Sequence, residues 1–159
     1  MKIPVHLLSG FLGSGKTTTL TAELAQRSER CAVVVNDFGE ARVDRTLLGG
    51  RVPVMDIAGG CVCCTAPAHL VPTLTALLEE ERPDRIFIEP SGLARPSDLV
   101  DMLARSGLKD RVQWMPVLVL VDPECLSNNE PLLMEQLEAA DVVVANRCDL
   151  ASPAALAAF

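Results

Sequence analysis

The 159-residue chain has no Tyr, one Trp and four Phe, so any core must be aliphatic, and Val, Leu and Ala supply it. Basic residues are also short: 14 Lys and Arg against 21 Asp and Glu leave a net charge of −7. Non-specific attachment to nucleic acid or to an anionic membrane needs clustered cations, so neither is expected as a partner. The acidic surplus reads as a solvated surface. No apolar run approaches the ~20 residues of a membrane span. The N-terminal stretch "MKIPVHLLSGFLGSGK" breaks at glycines and lacks a small-residue cleavage site, so it reads as a strand and loop, not a signal peptide. Six Cys without such a signal point to a reducing, cytoplasmic setting, where thiols serve metals or chemistry in preference to disulfides.

What is present is an alternation. The runs 3–9, 31–36, 85–89, 117–122 and 141–146 are short, β-branched and apolar on both faces, as strands of a covered parallel sheet are. Helical patterns occupy 17–28, 67–81, 97–106 and 130–139, and Ser152 followed by Pro153 starts another. The alternation predicts an α/β three-layer sandwich, and the length fits one domain over 1–159. The connection 37–65 is too long for padding in a compact domain and is expected to be functional.

"GFLGSGKT", residues 10–17, follows a predicted strand and opens a predicted helix, which is the setting of a phosphate-binding loop. Its glycines let successive N–H groups face a phosphate, and the helix N-terminus adds a favourable dipole. Gly10, Gly13, Ser14, Gly15, Lys16, Thr17 and Thr18 are the candidate nucleotide-binding residues here. Lys16 is expected at the β and γ phosphates and the Thr17 hydroxyl on Mg²⁺. "NRCD", residues 146–149, ends the last predicted strand, on the sheet edge where the phosphate loop also lies. Asp149 offers two acceptors that complement the N1–H and N2–H₂ donors of guanine, with Asn146 as its companion. Arg147 has a planar guanidinium that can stack over a base.

"GGCVCC" puts Cys61, Cys63 and Cys64 within four positions. With disulfides disfavoured, the cluster is either a site for Zn²⁺ or another thiophilic ion, or small residues filling a buried turn. Cys31, Cys125 and Cys148 stand alone and read as structural, and His69 reads as a helix-surface residue. Glu40 and Asp44 are possible carboxylate ligands.

Taken in order, "GFLGSGKTT", "NDFGE", "GGCVCC", "EPSGLA" and "NRCD" resemble the CobW-like family of P-loop GTPases, related to the nickel-delivery GTPases of hydrogenase and urease maturation. The resemblance implies a P-loop NTPase fold and a GTP-hydrolysing metallochaperone that handles zinc or cobalt. It implies a metal-receiving client protein and a nucleotide-dependent homodimer as partners. It assigns the C-x-C-C metal site to Cys61, Cys63 and Cys64, and with that the cluster reads as metal-binding. It makes Glu89 the acid that orients a water or a magnesium-bound water, and Asp37 a residue that senses metal or magnesium. The catalytic set is then Lys16, Thr17, Glu89 and Asp37. Asp37 stands where the family usually has Glu, Pro90 where Thr, Ser or Cys is commoner, and Arg147 where the base motif has Lys. Family members continue past the base motif, so the chain is expected to be the N-terminal part of a longer protein. Two rivals stay open: a P-loop ATPase or small-molecule kinase, and a metal-binding fragment that does not turn over.

Overall fold

All five apolar runs become strands of one parallel sheet in the computed structural model, which describes residues 1–35, 54–56, 66–128 and 130–159 (54–56 and 66–68 by backbone alone). The strands are β1 (Ile3–Gly10), β2 (Cys31–Val35), β3 (Val54–Asp56), β4 (Arg85–Glu89), β5 (Val112–Trp114), β6 (Leu118–Val121) and β7 (Val142–Ala145). The helices are α1 (Lys16–Ala25), α2 (Ala66–Glu80), α3 (Pro96–Arg105), α4 (Pro131–Glu138) and α5 (Pro153–Ala158), with a 3₁₀ helix over Pro123–Asn128. The strand order is β3-β2-β4-β1-β6-β7, every pair parallel.

Strand alternation sends the two sets of side chains to two different cores. Val5, Leu7, Ala32, Val34, Ile86, Ile88, Val119 and Val121 face α2, α3 and α4, where Leu70, Leu74, Leu77, Leu99, Leu103 and Leu133 meet them. Leu8, Cys31, Val33, Val35, Phe87 and Leu120 face α1 and its Leu20 and Leu24. Both faces are apolar because both are covered, which gives the expected three layers. The same alternation puts Glu89 on the face of Phe87, toward α1. That placement builds the site.

Two features differ from the sequence expectation. Strand β5 was not anticipated: three residues that include Gln113 make no apolar run. It pairs with the first half of β1 (Ile3 to Val5), while β6 pairs with the second half (Leu8 to Gly10). Pro116 lies between them and has no N–H to donate, so the two segments share one edge of β1 in succession. The second difference is β7, expected to be covered on both faces. Its Val142, Val143 and Val144 are exposed, and it ends the strand order.

Candidate functional site

Between β1 and α1 the chain turns sharply, with Ser14 N donating to Phe11 O at 3.2 Å. Gly15 is the N-cap of α1 at φ 89, ψ 22, and a Cβ there would lie 2.4 Å from Asn146 Nδ2. The position therefore needs glycine twice over, for its backbone angle and for the close approach. Among the described residues no side chain caps α1, and no acid occupies its first turn, so its leading N–H groups keep their capacity to bind an anion. Lys16 is buried, its ammonium donating to Gly10 O at 2.9 Å and Phe11 O at 3.2 Å. The buried Ser14 hydroxyl has no hydrogen-bond partner among the described residues. A left-handed glycine, an uncapped helix, a buried ammonium and an orphaned hydroxyl on one short loop are the chemistry a phosphate chain requires.

Thr17, in the first turn of α1, donates its hydroxyl to Glu89 Oε1 at 2.6 Å. Glu89 is 1% exposed, at the end of β4, so the contact ties the first turn of α1 to the end of that strand. A hydroxyl and a carboxylate oxygen in contact are hard donors that suit Mg²⁺.

The end of β7 reaches the same place. Asn146 N donates to Val121 O at 2.8 Å, and its side-chain Nδ2 donates to Ser14 O at 2.8 Å. Arg147 sits at φ 59, unusual for a residue with a Cβ, and its Nη1 donates to Asp122 Oδ2 at 3.1 Å and to Gly13 O at 3.4 Å. Asp122 directly follows β6 and also accepts from Glu124 N at 3.1 Å. Glu124 in turn accepts from Ser152 N, and that bond holds its carboxyl below the ordinary range. Ser152 caps α5 through Ala155 N at 3.2 Å, as its sequence predicted. Asp149 stands exposed in the turn 148–150.

A third segment closes the site from behind. The turn 90–95 follows Glu89 directly, and Gly92 lies so close to the phosphate loop that a Cβ would be 2.7 Å from Leu12 N. Gln136 of α4, fully buried, donates from Nε2 to Gly92 O and Ala94 O at 3.0 Å each. Neither role was anticipated. Gly92 falls within the quoted "EPSGLA", but a glycine's neighbour far upstream leaves no local signal. Asp122 was visible only as the polar end of an apolar run.

The structure thus gathers Gly10, Gly13, Ser14, Gly15, Lys16, Thr17, Glu89 and Asn146 at one sheet edge. Thr18 is exposed on α1. Asp37, Glu40, Asp44, Cys61, Cys63 and Cys64 lie outside the described residues. Among the described residues, no group of three or more His, Cys, Asp or Glu could hold a metal ion. Cys31 is buried in β2, as a structural thiol should be, and burial pushes its pKa and that of Cys125 upward. Cys148 is exposed and adds nothing to the core, unlike the structural role its isolation suggested. His69 is exposed on α2, as expected. No helix among the described residues is long and apolar enough to cross a membrane.

Comparison with known proteins follows the same lines. The family described as "CobW/HypB/UreG, nucleotide-binding domain" matches residues 4–159. The zinc chaperone YeiR of Escherichia coli is 37% identical over 155 residues, which covers 93% of this chain and 47% of that protein. The zinc chaperone CobW of a Sinorhizobium species is 32% identical over 192 residues, covering 99% and 54%. The crystal structure of Zn(II)-bound YjiA GTPase from E. coli matches with a TM-score of 0.72 at 28% identity, covering 99% of this chain and 53% of that one. The hydrogenase maturation factor HypB of Archaeoglobus fulgidus, at 16% identity and TM-score 0.63, covers 99% of this chain and 74% of its own and shares the fold. The chain spans about half the length of the curated relatives it matches.

Proposed function

The chain belongs to the CobW/HypB/UreG nucleotide-binding domain family, and we propose that it binds Mg²⁺·GTP, hydrolyses it slowly, and couples that cycle to a thiophilic metal cargo. The cargo is zinc, with cobalt as the second choice, carried by Cys61, Cys63 and Cys64 and passed to a client protein. Residues 1–159 act as the nucleotide-binding domain. The observation that carries the reading is the Thr17–Glu89 contact at 2.6 Å under an uncapped, glycine-led helix. The zinc chaperone names of relatives and the Zn(II)-bound YjiA structure support the cargo.

Each side chain has a defined task. Lys16 exchanges the Gly10 and Phe11 carbonyls for the β and γ phosphates, an exchange of neutral acceptors for charged ones that strengthens its bonds. The Thr17 hydroxyl, with Glu89 beside it, holds Mg²⁺. Once bound, the ion neutralises charge that develops on the phosphate oxygens. Glu89 orients the attacking water as a general base or through its hydrogen bond. Gly13, Ser14, Gly15 and Thr18 present backbone and hydroxyl donors to the phosphates. Asn146 braces the loop, and Asp149 reads the guanine edge. Asp37 links magnesium to the metal-carrying segment. The functional unit in the nucleotide-bound state is a homodimer in the cytoplasm.

The test is a zinc titration against a competing chelator in the GTP-bound and GDP-bound states, with ATP as the nucleotide control. Zinc affinity should differ between the two states by roughly five- to 150-fold, a coupling of about 1–3 kcal/mol. Uptake should weaken as pH falls, since protons compete for sulfur. The triple Cys→Ser variant of residues 61, 63 and 64 should lose both effects. Equal zinc affinities in the two states would leave two sites that merely share a chain.

A further inference from the structure

We propose that Gln136, on α4, is a positioning residue that sets the turn 90–95 against the phosphate loop, so that the phosphate chain of a bound nucleotide is felt at α4. The proposal rests on the nucleotide reading above and adds to it a route out of the site. Gln136 is 0% exposed, and both its partners, Gly92 O and Ala94 O, are carbonyls. Two acceptors fix which end of the amide faces the turn, because only the NH₂ can donate twice. The amide oxygen Oε1 is then left buried, without a hydrogen-bond partner among the described residues.

That asymmetry is what a two-position element needs. A buried amide oxygen without a donor costs free energy, whereas a shifted turn that turned an N–H toward Oε1 would recover it. The present setting is held by two bonds from Nε2 and opposed by the orphaned oxygen. The turn cannot shift alone. Gly92 is buried against the phosphate loop, where a Cβ would meet Leu12 N at 2.7 Å and Leu12 Cα at 2.9 Å. Any change of curvature at Leu12 on filling the loop with phosphate therefore presses on Gly92, and through Gly92 O on Gln136. Glu89 immediately precedes the turn, so the same movement adjusts the acid that contacts Thr17. A second tether, the ion pair of Arg95 Nε with Glu135 Oε2 at 2.8 Å, joins the same turn to the neighbouring residue of α4. Arg95 is exposed and Glu135 partly so, and such a pair contributes little beside the buried amide.

Gln136→Leu keeps most of the volume and removes both donors and the orphaned oxygen. In the full chain, its affinities for GTP and GDP are measured by fluorescence titration. The expected result is a change of about fivefold or more in the ratio of GTP to GDP affinity, with GDP binding close to the parent's. A merely structural role would move both nucleotides in proportion, with the melting temperature, and leave the ratio alone; that result overturns the proposal. If Gln136→Leu does not fold, Gly92→Ala presses the same contact from the loop side and must shift the same ratio. A parent that binds no GTP would sink the nucleotide reading itself. Amide hydrogen exchange without nucleotide then decides separately whether Gln136 sets the turn against the loop. In Gln136→Leu, exchange should quicken together in 91–95 and 11–15 while 142–150 keeps the parent's rates. Faster exchange confined to 91–95, or spread evenly over the chain, would overturn it.

Discussion

The phosphate loop and the turn 146–149, proposed to read the base, follow two strands of one sheet, β1 and β7, with only β6 between them, yet their surroundings differ sharply. Around the loop several polar groups are buried: Ser9, Ser14, Lys16 and Glu89 are at most 8% exposed. Beyond β7, Arg147, Cys148 and Asp149 are all exposed. Two hydrogen bonds join these halves, from Asn146 to Ser14 and from Arg147 to Gly13. The difference fits what each half is proposed to recognise. A phosphate cradle is made of backbone N–H groups, so the path of the chain is the binding site and must be held by burial and by glycine. A base is selected by a few side-chain acceptors, which need correct placement but little enclosure. Affinity should therefore reside in the buried half and selectivity in the exposed one.

The largest effect should come from the buried half. Lys16→Ala removes the ammonium that now satisfies the Gly10 and Phe11 carbonyls and would face the phosphates. Losing a charged hydrogen bond in such a place costs roughly 1.5–3 kcal/mol or more, tenfold to over a hundredfold in affinity. Isothermal titration should show GTP and ATP binding falling together, because the lysine does not see the base, and turnover disappearing with them. Undiminished GTP binding in this variant would break the assignment of affinity to the loop.

Asp149→Asn should sharpen the contrast by changing selectivity. An amide NH₂ would face guanine's own donors but complement the carbonyl that xanthine carries in place of the exocyclic amine. GTP should weaken by about tenfold to several hundredfold, the range for one or two charge-assisted hydrogen bonds. Xanthosine triphosphate should gain, and ATP should stay as it was. If all three bind as they do to the parent, the turn 146–149 does not read the base.

How far the sequence anticipated this arrangement depends on the range of each contact. The phosphate loop was legible because its glycines, Lys16 and Thr17 are contiguous, and Glu89 because an acid ends an apolar strand. Burial was less so. "CAVVV" of β2 and "VVVA" of β7 are almost the same text, but Val33 and Val34 are fully buried while Val142, Val143 and Val144 are 42%, 38% and 37% exposed. An apolar β-branched run specifies a strand; cover comes from its neighbours, and β2 lies between β3 and β4 with helices on both faces, whereas β7 ends the order. Gln136 was invisible for a related reason. In "MEQLEAAD" it reads as one more polar helix residue, and only the turn 90–95, distant in sequence, makes it a buried clamp. The expected metal ligands Cys61, Cys63 and Cys64 fall outside the described residues, so the thiol motif rests on its spacing and its family resemblance.

The smallest effect should come from the link between the halves, and it is informative for being small. Arg147 Nη1 bonds both Asp122 and Gly13, but the guanidinium is nearly half exposed, paired with a carboxylate at 3.1 Å and with a backbone oxygen at 3.4 Å. Exposed pairs of this kind contribute about 0.2–1 kcal/mol, because water screens them and two side chains must be held in one geometry. Arg147→Lys restores the residue usual in the base motif. It keeps the charge and an apolar stem to lie over a base, but replaces a planar fork by a point charge. One ammonium on a shorter reach would keep one of the two partners in good geometry, and Asp122, as the charged acceptor, should retain it. GTP affinity should therefore shift by no more than about fivefold, the factor equivalent to the upper end of that range, with the preference for GTP over ATP unchanged. A loss as large as that of Lys16→Ala would mean that Arg147 belongs to the phosphate cradle, and the division between a buried half for affinity and an exposed half for selectivity would have to be redrawn around Gly13.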